Sequence, residues 1–432
     1  MTRPIGNEKV GKKMHQWATD LFPICRSITG PGVRDTLEYL KKILPSLELH
    51  SVPSGSEAMD WVVPDEWHIR DAWISNEHGE KVVDFKKNNL HVLGYSEPVN
   101  LLIELSDLQD HLYSLPDQPD AIPYVTSYYK RRWGFCLSHH QREQLQPGKY
   151  RVVIDSEIYP GVLNYGELVL PGESKEEVFL STYVCHPSMA NNELSGPVVT
   201  AALAQWLTQL PSLKYTYRIV FIPETIGSLV YLSHNLNWLK KHVIAGFNIT
   251  CVGDERTYSY LPSRAGDTLS DKVAQHVLYH TDPDFISYTW LDRGSDERQY
   301  CAPGVDLPIS TIMRSKYGMY PEYHTSLDDL DFVTPRGLEG GYLALKKAIE
   351  SIEDNCTPLV TVYGEPQLGK RGLYPNLSAK GSASTVHVMM DLLSCCDGKK
   401  TLLDIANYIK QPMWVLRPIV DNLAFHGLIK IL

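Results

Sequence analysis

Short hydrophobic runs alternate with longer amphipathic stretches between about residue 150 and residue 355. Runs rich in β-branched and aromatic residues predict strands, and apolar positions three or four residues apart predict helices. The predicted strands cover 163–170, 177–184, 217–223, 246–252, 286–291 and 307–313. The predicted helices cover 196–209, 226–241, 269–280 and 335–354. This alternation predicts an α/β fold with a mostly parallel sheet that helices cover on both faces.

The hydrophobic patterns on either side of this region are different. Residues 7–46 predict two amphipathic helices, separated by a break at 30–32. Short alternating runs with frequent turn signals follow, and they predict an inserted β-rich unit, a sandwich or barrel. After a Pro/Gly-rich connector, three short helices and a terminal strand predict a winged helix. The predicted domains are a discontinuous α/β core (1–48 and 150–355), an inserted β-rich domain (49–149) and a winged-helix domain (363–432).

Composition narrows the classes of function. The 432 residues are 43% hydrophobic, which supports a large core, and the net charge of −10 argues against nonspecific binding to nucleic acid or anionic membranes. No apolar stretch is long enough to predict a transmembrane helix. The eight cysteines show no paired spacing and the N-terminus shows no apolar signal core, so we expect free thiols and a cytoplasmic protein. The last predicted helix, MWVLRPIVDNLAFH, has one Arg and no Lys, which favours a protein-contact or dimerisation role over DNA binding.

Polar residues follow the ends of several predicted strands. His186 comes just after the strand 177–184, and Glu193 lies seven residues later. Similar positions hold Glu224, Asp254, Asp296 and His324. Because the carboxyl ends of parallel strands meet at one edge of a sheet, these side chains are expected to converge on one cleft. Zinc suits the set, since it binds His nitrogen and carboxylate oxygen, and an unliganded Glu nearby would serve as a general base. A hydrogen-bonded loop histidine is the alternative for His186 alone.

Five stretches resemble a known family. They are FPICRSITGPGVR, CHPSMANNELSG, FIPETIGS, RGSDERQYCAPGVDLPIS and YHTSLDDLDF, and together they span nearly the whole chain. The chain resembles a bacterial aminopeptidase-like family of unknown substrate, with an M28-type zinc-peptidase core, an inserted β-domain and a C-terminal winged helix. Members often occur among proteins of polysaccharide or secondary-metabolite biosynthesis. The resemblance implies a zinc-dependent amide-bond hydrolase that acts on a small, conjugated or peptide-like metabolite.

The resemblance also shows departures from the peptidase pattern. His186 and His324 match the two metal-binding histidines of the peptidases. Asn192 stands where the peptidases have a bridging Asp, Thr225 where they have a second Glu, and Thr250 where they have a further ligand Asp. Since all three replacements are neutral, the resemblance implies one zinc ion rather than two.

The resemblance implies a role for each candidate residue. The implied metal ligands are His186, Glu193, His324 and Asp254, the implied catalytic residues are Glu224 and Asp296, and the implied substrate-binding residues are Arg26, Arg314 and Tyr317. Glu193 is the first choice for the third ligand, and Asp254 is a spare ligand or a partner for a histidine. Glu224 is the implied base and Asp296 a substrate or proton-relay group. The last three residues are candidates for holding a carboxylate or sugar acid, and a structural salt bridge is the alternative for Arg26.

Other functions stay open at this point. The altered ligand positions also fit a protein on the peptidase fold that binds a metabolite, or acts as a scaffold, without hydrolysis. Glutaminyl cyclases use one zinc ion on a related fold, so amidotransfer or cyclisation is a third possibility. The acidic charge and the last helix argue against a transcriptional regulator. The expected partner is a small-molecule or peptide-like substrate rather than a membrane, and a homodimer is left open.

Overall fold

The computed structural model describes residues 8–373 and 382–432, and its centre is an eight-stranded sheet. In spatial order the strands are Glu48–Pro53, Val162–Leu170, Thr216–Ile222, Glu177–Tyr183, Val243–Asn248, Ile309–Met313, Ser259–Leu261 and Ile286–Ser287. The four strands at the centre run parallel, and antiparallel pairs lie towards the two edges. The predicted α/β fold with a mostly parallel sheet is confirmed.

Helices cover both faces of this sheet. They are Glu8–Leu21, Pro31–Ile43, Ser195–Leu207, Ile226–His242, Leu269–Thr281, Glu297–Tyr300 and Pro335–Glu353. The central strand Glu177–Tyr183 shows why both faces need cover, because every residue in it is buried. Val178 and Leu180 belong to one hydrophobic cluster, and Phe179 and Tyr183 belong to another. Successive side chains of a strand point to opposite faces, so the two clusters are the cores on the two sides.

The predicted elements of the core agree with the structure to within a few residues, with two exceptions, and the buried strand Ser259–Leu261 was not predicted. The predicted break at 30–32 is displaced towards the N-terminus, since the first helix ends at Leu21 and Pro31 starts the second, so that residues 22–30 separate them and Gly30, at φ 101°, directly precedes the second helix. Proline suits the first helical position because its missing N–H would have no partner there. The predicted strand 286–291 ends after Ser287, because Trp290–Asp292 turns into a short 3₁₀ helix.

The residues between the first strand and the rest of the main sheet form a smaller β-rich unit. Its four-stranded antiparallel sheet contains Lys81–Asp84, Glu66–Ser75, Lys149–Tyr159 and Val99–Glu104, in that order. Two shorter pairs are Glu57–Ala58 with Trp61–Val62 and Leu112–Tyr113 with Phe135–Cys136, and the short helices are Leu105–Leu108 and His139–Glu143. We call this the inserted unit. The predicted domain boundaries themselves stay a prediction.

The C-terminal part is a winged helix, as predicted. Its helices are Ser382–Cys395, Leu402–Ile409 and Met413–Phe425, and its two-stranded sheet pairs Pro358–Val360 with Ile429–Ile431. Of the helices that the structure describes, none is long and apolar enough to span a membrane.

A buried histidine connects the winged helix to the core. His276 Nε2 accepts a hydrogen bond from the backbone N–H of Met413 at 3.0 Å, and Nδ1 donates to Asn407 Oδ1 at 2.7 Å. Nearby, Lys347 Nζ lies 4.5 Å from the ring centroid of Trp414. The core therefore contacts the first turn of the last helix. In helix-turn-helix proteins, the N-terminal end of the recognition helix contacts base edges, and in this protein the same end of the last helix contacts the core.

Replacing His276 with leucine is expected to loosen this junction. The buried Met413 N–H would lose its acceptor, which costs about 1–3 kcal/mol, and the exposed Asn407 side chain would lose its hydrogen bond to the ring. We expect a lower unfolding midpoint and faster proteolytic release of the C-terminal domain. Burial lowers the pKa of His276 to about 4. Wild-type stability should therefore fall as the pH drops from about 6.5 towards 4, because the unfolded chain takes up the proton more readily.

The control for this variant is His387→Leu, because His387 is an exposed histidine on the Ser382–Cys395 helix. Its replacement is expected to change the unfolding midpoint little. Equal shifts in the two variants would contradict a structural role for His276 in the junction.

Candidate functional site

The turn Ala190–Leu194 lies beside the loop that carries His186, and a buried carboxylate fixes its backbone. Asp328 accepts hydrogen bonds from the N–H groups of Asn191 at 2.5 Å and Asn192 at 2.9 Å. The Asp328 side chain has no exposed surface. The role of Asp328 was not predicted, because nothing in the LDDL stretch distinguishes a buried carboxylate from a solvated one.

His186 is held in one orientation by two buried charged residues. Its Nδ1 lies 2.8 Å from Glu193 Oε2, and its backbone oxygen accepts a hydrogen bond from Arg26 Nε at 2.9 Å. The same Arg26 Nε lies 3.5 Å from Glu193 Oε1, and both side chains are completely buried. Burial, together with the charge of Arg26, lowers the pKa of His186 to about 3, so the ring is neutral. With its proton on Nδ1, the ring keeps a free lone pair on Nε2.

Arg26 and Glu193 thus form a buried pair behind the histidine. Burial raises the pKa of Glu193, and the Arg26 guanidinium opposes that rise. Arg26 also donates from Nη1 to the backbone oxygen of Leu21 at 2.7 Å. The structure therefore places Arg26 in the structural salt bridge that was the alternative at the sequence level. The prediction that Glu193 is a metal ligand requires its carboxylate to contact the metal ion. In the structure, this carboxylate contacts His186 Nδ1 instead.

Glu224 lies on the other side of the histidine ring. Its Oε2 is 3.6 Å from His186 Nε2, and its side chain is 21% exposed. The next residue, Thr225, has φ 64°, which is rare for a β-branched residue. Asp296 Oδ1 accepts hydrogen bonds from the Thr225 N–H at 2.7 Å and from Ser228 Oγ at 2.8 Å. Burial and the neighbouring Asp296 raise the pKa of Glu224. Asp296 therefore holds the strained turn that presents Glu224.

His324 completes the site from a distant loop. The ring centroids of His324 and His186 are 5.5 Å apart, and His324 Nε2 lies 3.1 Å from Asn192 Oδ1. Asn192 Nδ2 donates to the Tyr183 hydroxyl at 2.8 Å, and that hydroxyl donates to Thr250 Oγ1 at 2.5 Å. Thr250 Oγ1 in turn donates to the Asn192 backbone oxygen at 3.1 Å. The neutral side chains of Asn192 and Thr250 are therefore joined in one hydrogen-bond network through Tyr183. At both positions the resemblance implies a carboxylate in the peptidases.

The inserted unit supplies one wall of the site. Pro123 and Thr325 form an isolated β-bridge, and the Tyr124 N–H donates to the His324 backbone oxygen at 2.9 Å. The Tyr124 ring lies 5.3 Å from the His186 ring and 5.2 Å from the His324 ring, measured between centroids. This bridge places an aromatic ring of the inserted unit against both histidines.

A cavity of about 280 Å³ opens above these residues. Charged and titratable residues of the core line its floor, and aromatic residues of the inserted unit line its wall. The floor includes His186, Glu224, Arg298 and His324, and the wall includes Trp61, Tyr124, Tyr128 and Tyr129. The structure thus brings three of the predicted residues to one cavity, namely His186, Glu224 and His324, with Asp296 directly behind Glu224.

Three other predicted residues lie in supporting hydrogen-bond networks. The Asp254 carboxylate accepts hydrogen bonds from the Ser315 N–H and hydroxyl, both at 2.8 Å. Arg314 Nε donates to the Asp254 backbone oxygen at 2.8 Å. The Tyr317 hydroxyl donates to Glu297 Oε1 at 2.6 Å. None of Asp254, Arg314 and Tyr317 is among the described residues that line the cavity.

One group of possible metal ligands is a poor cation site. Atoms of Cys185, His186 and Glu193 lie within 4.8 Å of one another. The 2.8 Å contact between His186 Nδ1 and Glu193 is a hydrogen bond, and the Arg26 cation lies beside it. Burial also raises the pKa of the Cys185 thiol well above its usual value, which opposes formation of a thiolate ligand.

A second group of possible ligands lies at the floor of the cavity and directly behind it, and its donor atoms suit a zinc ion. It consists of His186 Nε2, His324 Nε2 and Asn192 Oδ1. The Nδ1–carboxylate contact of His186 is the arrangement that orients metal-binding histidines. His324 Nε2 lies 3.1 Å from Asn192 Oδ1, a hydrogen-bond distance that already brings these two possible ligand atoms together. A second ion would need carboxylates that Thr225 and Thr250 do not supply.

Two family models match the chain. "Domain of unknown function (DUF4910)" matches residues 15–355, and "winged helix-turn-helix" matches residues 356–431. A Clostridium acetobutylicum protein, named "Putative polysaccharide biosynthesis protein with aminopeptidase-like domain", is 44% identical over 402 residues, which cover 93% of this chain and 92% of that protein. The chain belongs to this aminopeptidase-like family. The family predicted from the sequence is confirmed.

Solved structures show the same relationship. A crystal structure of a "putative peptidase" from Clostridium acetobutylicum is 42% identical with a TM-score of 0.93, covering 99% of this chain and 97% of that one. BSAP, a zinc aminopeptidase from Bacillus subtilis, is 12% identical with a TM-score of 0.58, covering 82% and 96%. A "Peptidase M28 precursor" from Shewanella amazonensis is 13% identical with a TM-score of 0.55, covering 83% and 98%. The latter two show that the core of the family has the M28 aminopeptidase fold.

Proposed function

We propose that this protein is an amide-bond hydrolase that binds one zinc ion and acts on a small, conjugated metabolite. The main support is the position of Glu224, whose carboxylate lies 3.6 Å from His186 Nε2 beside a cavity, on a fold shared with zinc aminopeptidases. The relative's name mentions polysaccharide biosynthesis. We include sugar-linked metabolites in the proposed substrate class for that reason.

In this proposal, His186 Nε2, His324 Nε2 and Asn192 Oδ1 hold the ion. Bound zinc supplies a Lewis acid that polarises the substrate carbonyl and makes water more acidic. Glu193 keeps the His186 ring in its orientation through Nδ1. In this proposal Glu193 orients His186 and is not itself a ligand of the ion.

Glu224 is the general base in this proposal. It takes a proton from the attacking water and passes that proton to the leaving nitrogen. Burial and Asp296 raise its pKa from the ordinary value, which brings its basicity closer to the neutral range where a general base works best. Asp296 acts through the Thr225 turn and is a positioning residue. Tyr124 excludes water from the side of the inserted unit.

Replacing Asn192 with aspartate is expected to raise zinc affinity at least tenfold. The present ligand set is uncharged, and an added carboxylate would attract the dication directly. Changes in the residues that merely support zinc ligands already alter affinity about 10–100-fold. Zinc binding to purified protein would be measured by competition with a chromogenic chelator, with stoichiometry near one ion per chain.

A matched control is Asn100→Asp, since Asn100 lies exposed on the Val99–Glu104 strand and does not line the cavity. It adds the same charge and should leave zinc affinity unchanged. If both variants bound zinc as the wild type does, position 192 would not face an ion.

A second candidate function is binding of the metabolite without hydrolysis. The closed hydrogen-bond network of Asn192, Tyr183 and Thr250 favours it, because those groups are satisfied without a metal. Metal analysis separates the two functions. The hydrolase proposal expects about one zinc per chain and a lower unfolding midpoint after chelation, and the binding protein expects neither.

A further inference from the structure

One cation in the cavity forms no close ion pair with any carboxylate that the structure describes. Of the described residues that line the cavity, only Arg298 carries a positive charge and only Glu224 carries a carboxylate. Arg298 Nη2 donates to Thr225 Oγ1 at 2.6 Å, and at longer range its charge opposes the rise in the pKa of Glu224 and Asp296. An arginine side chain presents a planar fork of donors that matches a carboxylate. Arg298 is therefore available to a ligand.

The position of Arg298 relates it to the proposed reaction. Thr225, its hydrogen-bond partner, directly follows Glu224 in the chain. An anion on Arg298 would thus lie close to the amide bond that Glu224 acts on. In an α-amino acid, only one carbon separates the nitrogen from the carboxylate. A carboxylate on the leaving amine fits this short separation.

The distribution of acids also favours an anionic substrate. An aminopeptidase has to hold the free ammonium group of its substrate, which requires a carboxylate that is not used elsewhere. Glu224 is assigned to proton transfer. Asp296 is fully buried behind Glu224 and does not line the cavity; its Oδ1 is bonded to Thr225 and Ser228, and its Oδ2 has no hydrogen-bond partner among the described residues. The described residues that line the cavity therefore offer a cation to an anion, and no carboxylate other than Glu224 to an ammonium group.

The aromatic wall offers a surface for an apolar part of the ligand. Trp61 and Tyr129 are 41% and 57% exposed, with ring centroids 5.8 Å apart. The Tyr129 hydroxyl donates to the Val62 backbone oxygen at 3.0 Å, which anchors the ring beside Trp61. Uncovered aromatic faces gain from burial against a planar or apolar group. A cavity of about 280 Å³ is slightly smaller than the usual ligand pockets of about 300–1,000 Å³, so it suits a small ligand.

We infer, building on the proposed amide-bond hydrolysis, that the substrate is an N-acylated α-amino acid whose carboxylate pairs with Arg298 and whose apolar side chain lies against Trp61 and Tyr129. Water adds to the acyl carbon and the C–N bond breaks. The products are a carboxylic acid and the free amino acid, and the proton taken from water by Glu224 goes to the leaving nitrogen.

The test compares N-acetyl-L-phenylalanine with its carboxamide, which lacks only the charge. With the zinc-loaded protein, acetate release from the carboxylate should have a kcat/KM about 10- to 100-fold higher, as expected for a hydrogen-bonded charge pair. Arg298→Gln should remove this preference by slowing the carboxylate alone, and Arg298→Lys should keep part of it. Arg293→Gln is the matched control, because Arg293 is exposed, packs on Trp290 and does not line the cavity.

Binding to the Glu224→Gln protein, measured by calorimetry, separates this inference from the proposed hydrolysis. If it binds the carboxylate at least tenfold more tightly than the carboxamide, and Arg298→Gln in the same background removes the difference, the ligand class stands even without turnover. Equal binding of the two compounds, equal weakening of both by Arg298→Gln, or no measurable binding of the carboxylate would overturn the inference, whatever the protein hydrolyses.

Discussion

Replacing Glu224 with glutamine is expected to lower kcat by about 10²–10⁴-fold, the usual contribution of a general base. Glutamine has the same size as glutamate and keeps a polar end in the partly exposed position beside His186, but it cannot take a proton. The fold and the zinc content should therefore stay the same while turnover is lost. The measurements are steady-state hydrolysis of an acylated amino acid, metal analysis and circular dichroism.

The control for this variant is Glu157→Gln. Glu157 is an exposed residue of the inserted unit that pairs with Arg70 at 2.6 Å and does not line the cavity. Its replacement should leave kcat within about twofold of the wild type, since surface ion pairs contribute little. If Glu224→Gln retained its metal and turned over at the wild-type rate, Glu224 would not be the base and the proposed mechanism would be wrong.

Replacing Arg26 with methionine is expected to destabilise the protein by about 3–5 kcal/mol, because it removes one member of a buried ion pair. Arg26 and Glu193 have no exposed side-chain surface, so the remaining carboxylate would be left unpaired in the interior. The backbone oxygens of Leu21 and His186 would lose their donor as well. Unfolding in urea, followed by circular dichroism and tryptophan fluorescence, measures the change in free energy.

Two comparisons identify the cause of that loss. Adding Glu193→Gln to Arg26→Met should recover part of the stability, because the second change removes the unpaired charge, and the double-mutant cycle gives the coupling. Arg70→Met breaks an exposed pair with Asp155 and should cost about 1 kcal/mol or less. A loss from Arg26→Met no larger than that from Arg70→Met would show that burial of the pair does not matter.

The sequence by itself was sufficient for the architecture and for the main residues of the site. Strand and helix periodicity predicted most of the α/β core because its elements bury at least one face, apart from the exposed edge strand Ile286–Ser287. The edge of the sheet where polar side chains converge also followed from the pattern. Parallel strands end at a common edge, so His186 and Glu224, each just past a strand, had to lie close together. His324, which comes after the predicted strand 307–313, followed from the same pattern, and the family resemblance marked it as a metal-binding histidine.

Only the tertiary structure decided how the charged groups around these residues are used. Glu193 lies seven residues after His186 whether it binds a metal or holds the histidine ring. The local sequence therefore does not say whether its carboxylate contacts an ion or a ring nitrogen. Arg26, 160 residues before His186, settles it by pairing with Glu193 in the interior. In the same way, Arg314 was predicted to bind substrate, but the structure bonds it to Asp254, whereas Arg298 lines the cavity and forms no close ion pair with a described carboxylate.

The residues that form the cavity wall could not be predicted from the sequence either. Trp61, Tyr124 and Tyr129 belong to the inserted unit, where their aromatic character is explained as well by a packed β-rich domain. Their place at the site depends on the bridge between Pro123 and Thr325, about two hundred residues apart. Hydrophobic periodicity reports which face of an element is buried, because that depends on neighbours along the chain. It does not report which distant surface covers that face, because long-range packing and the pairing of buried charges depend on the whole fold.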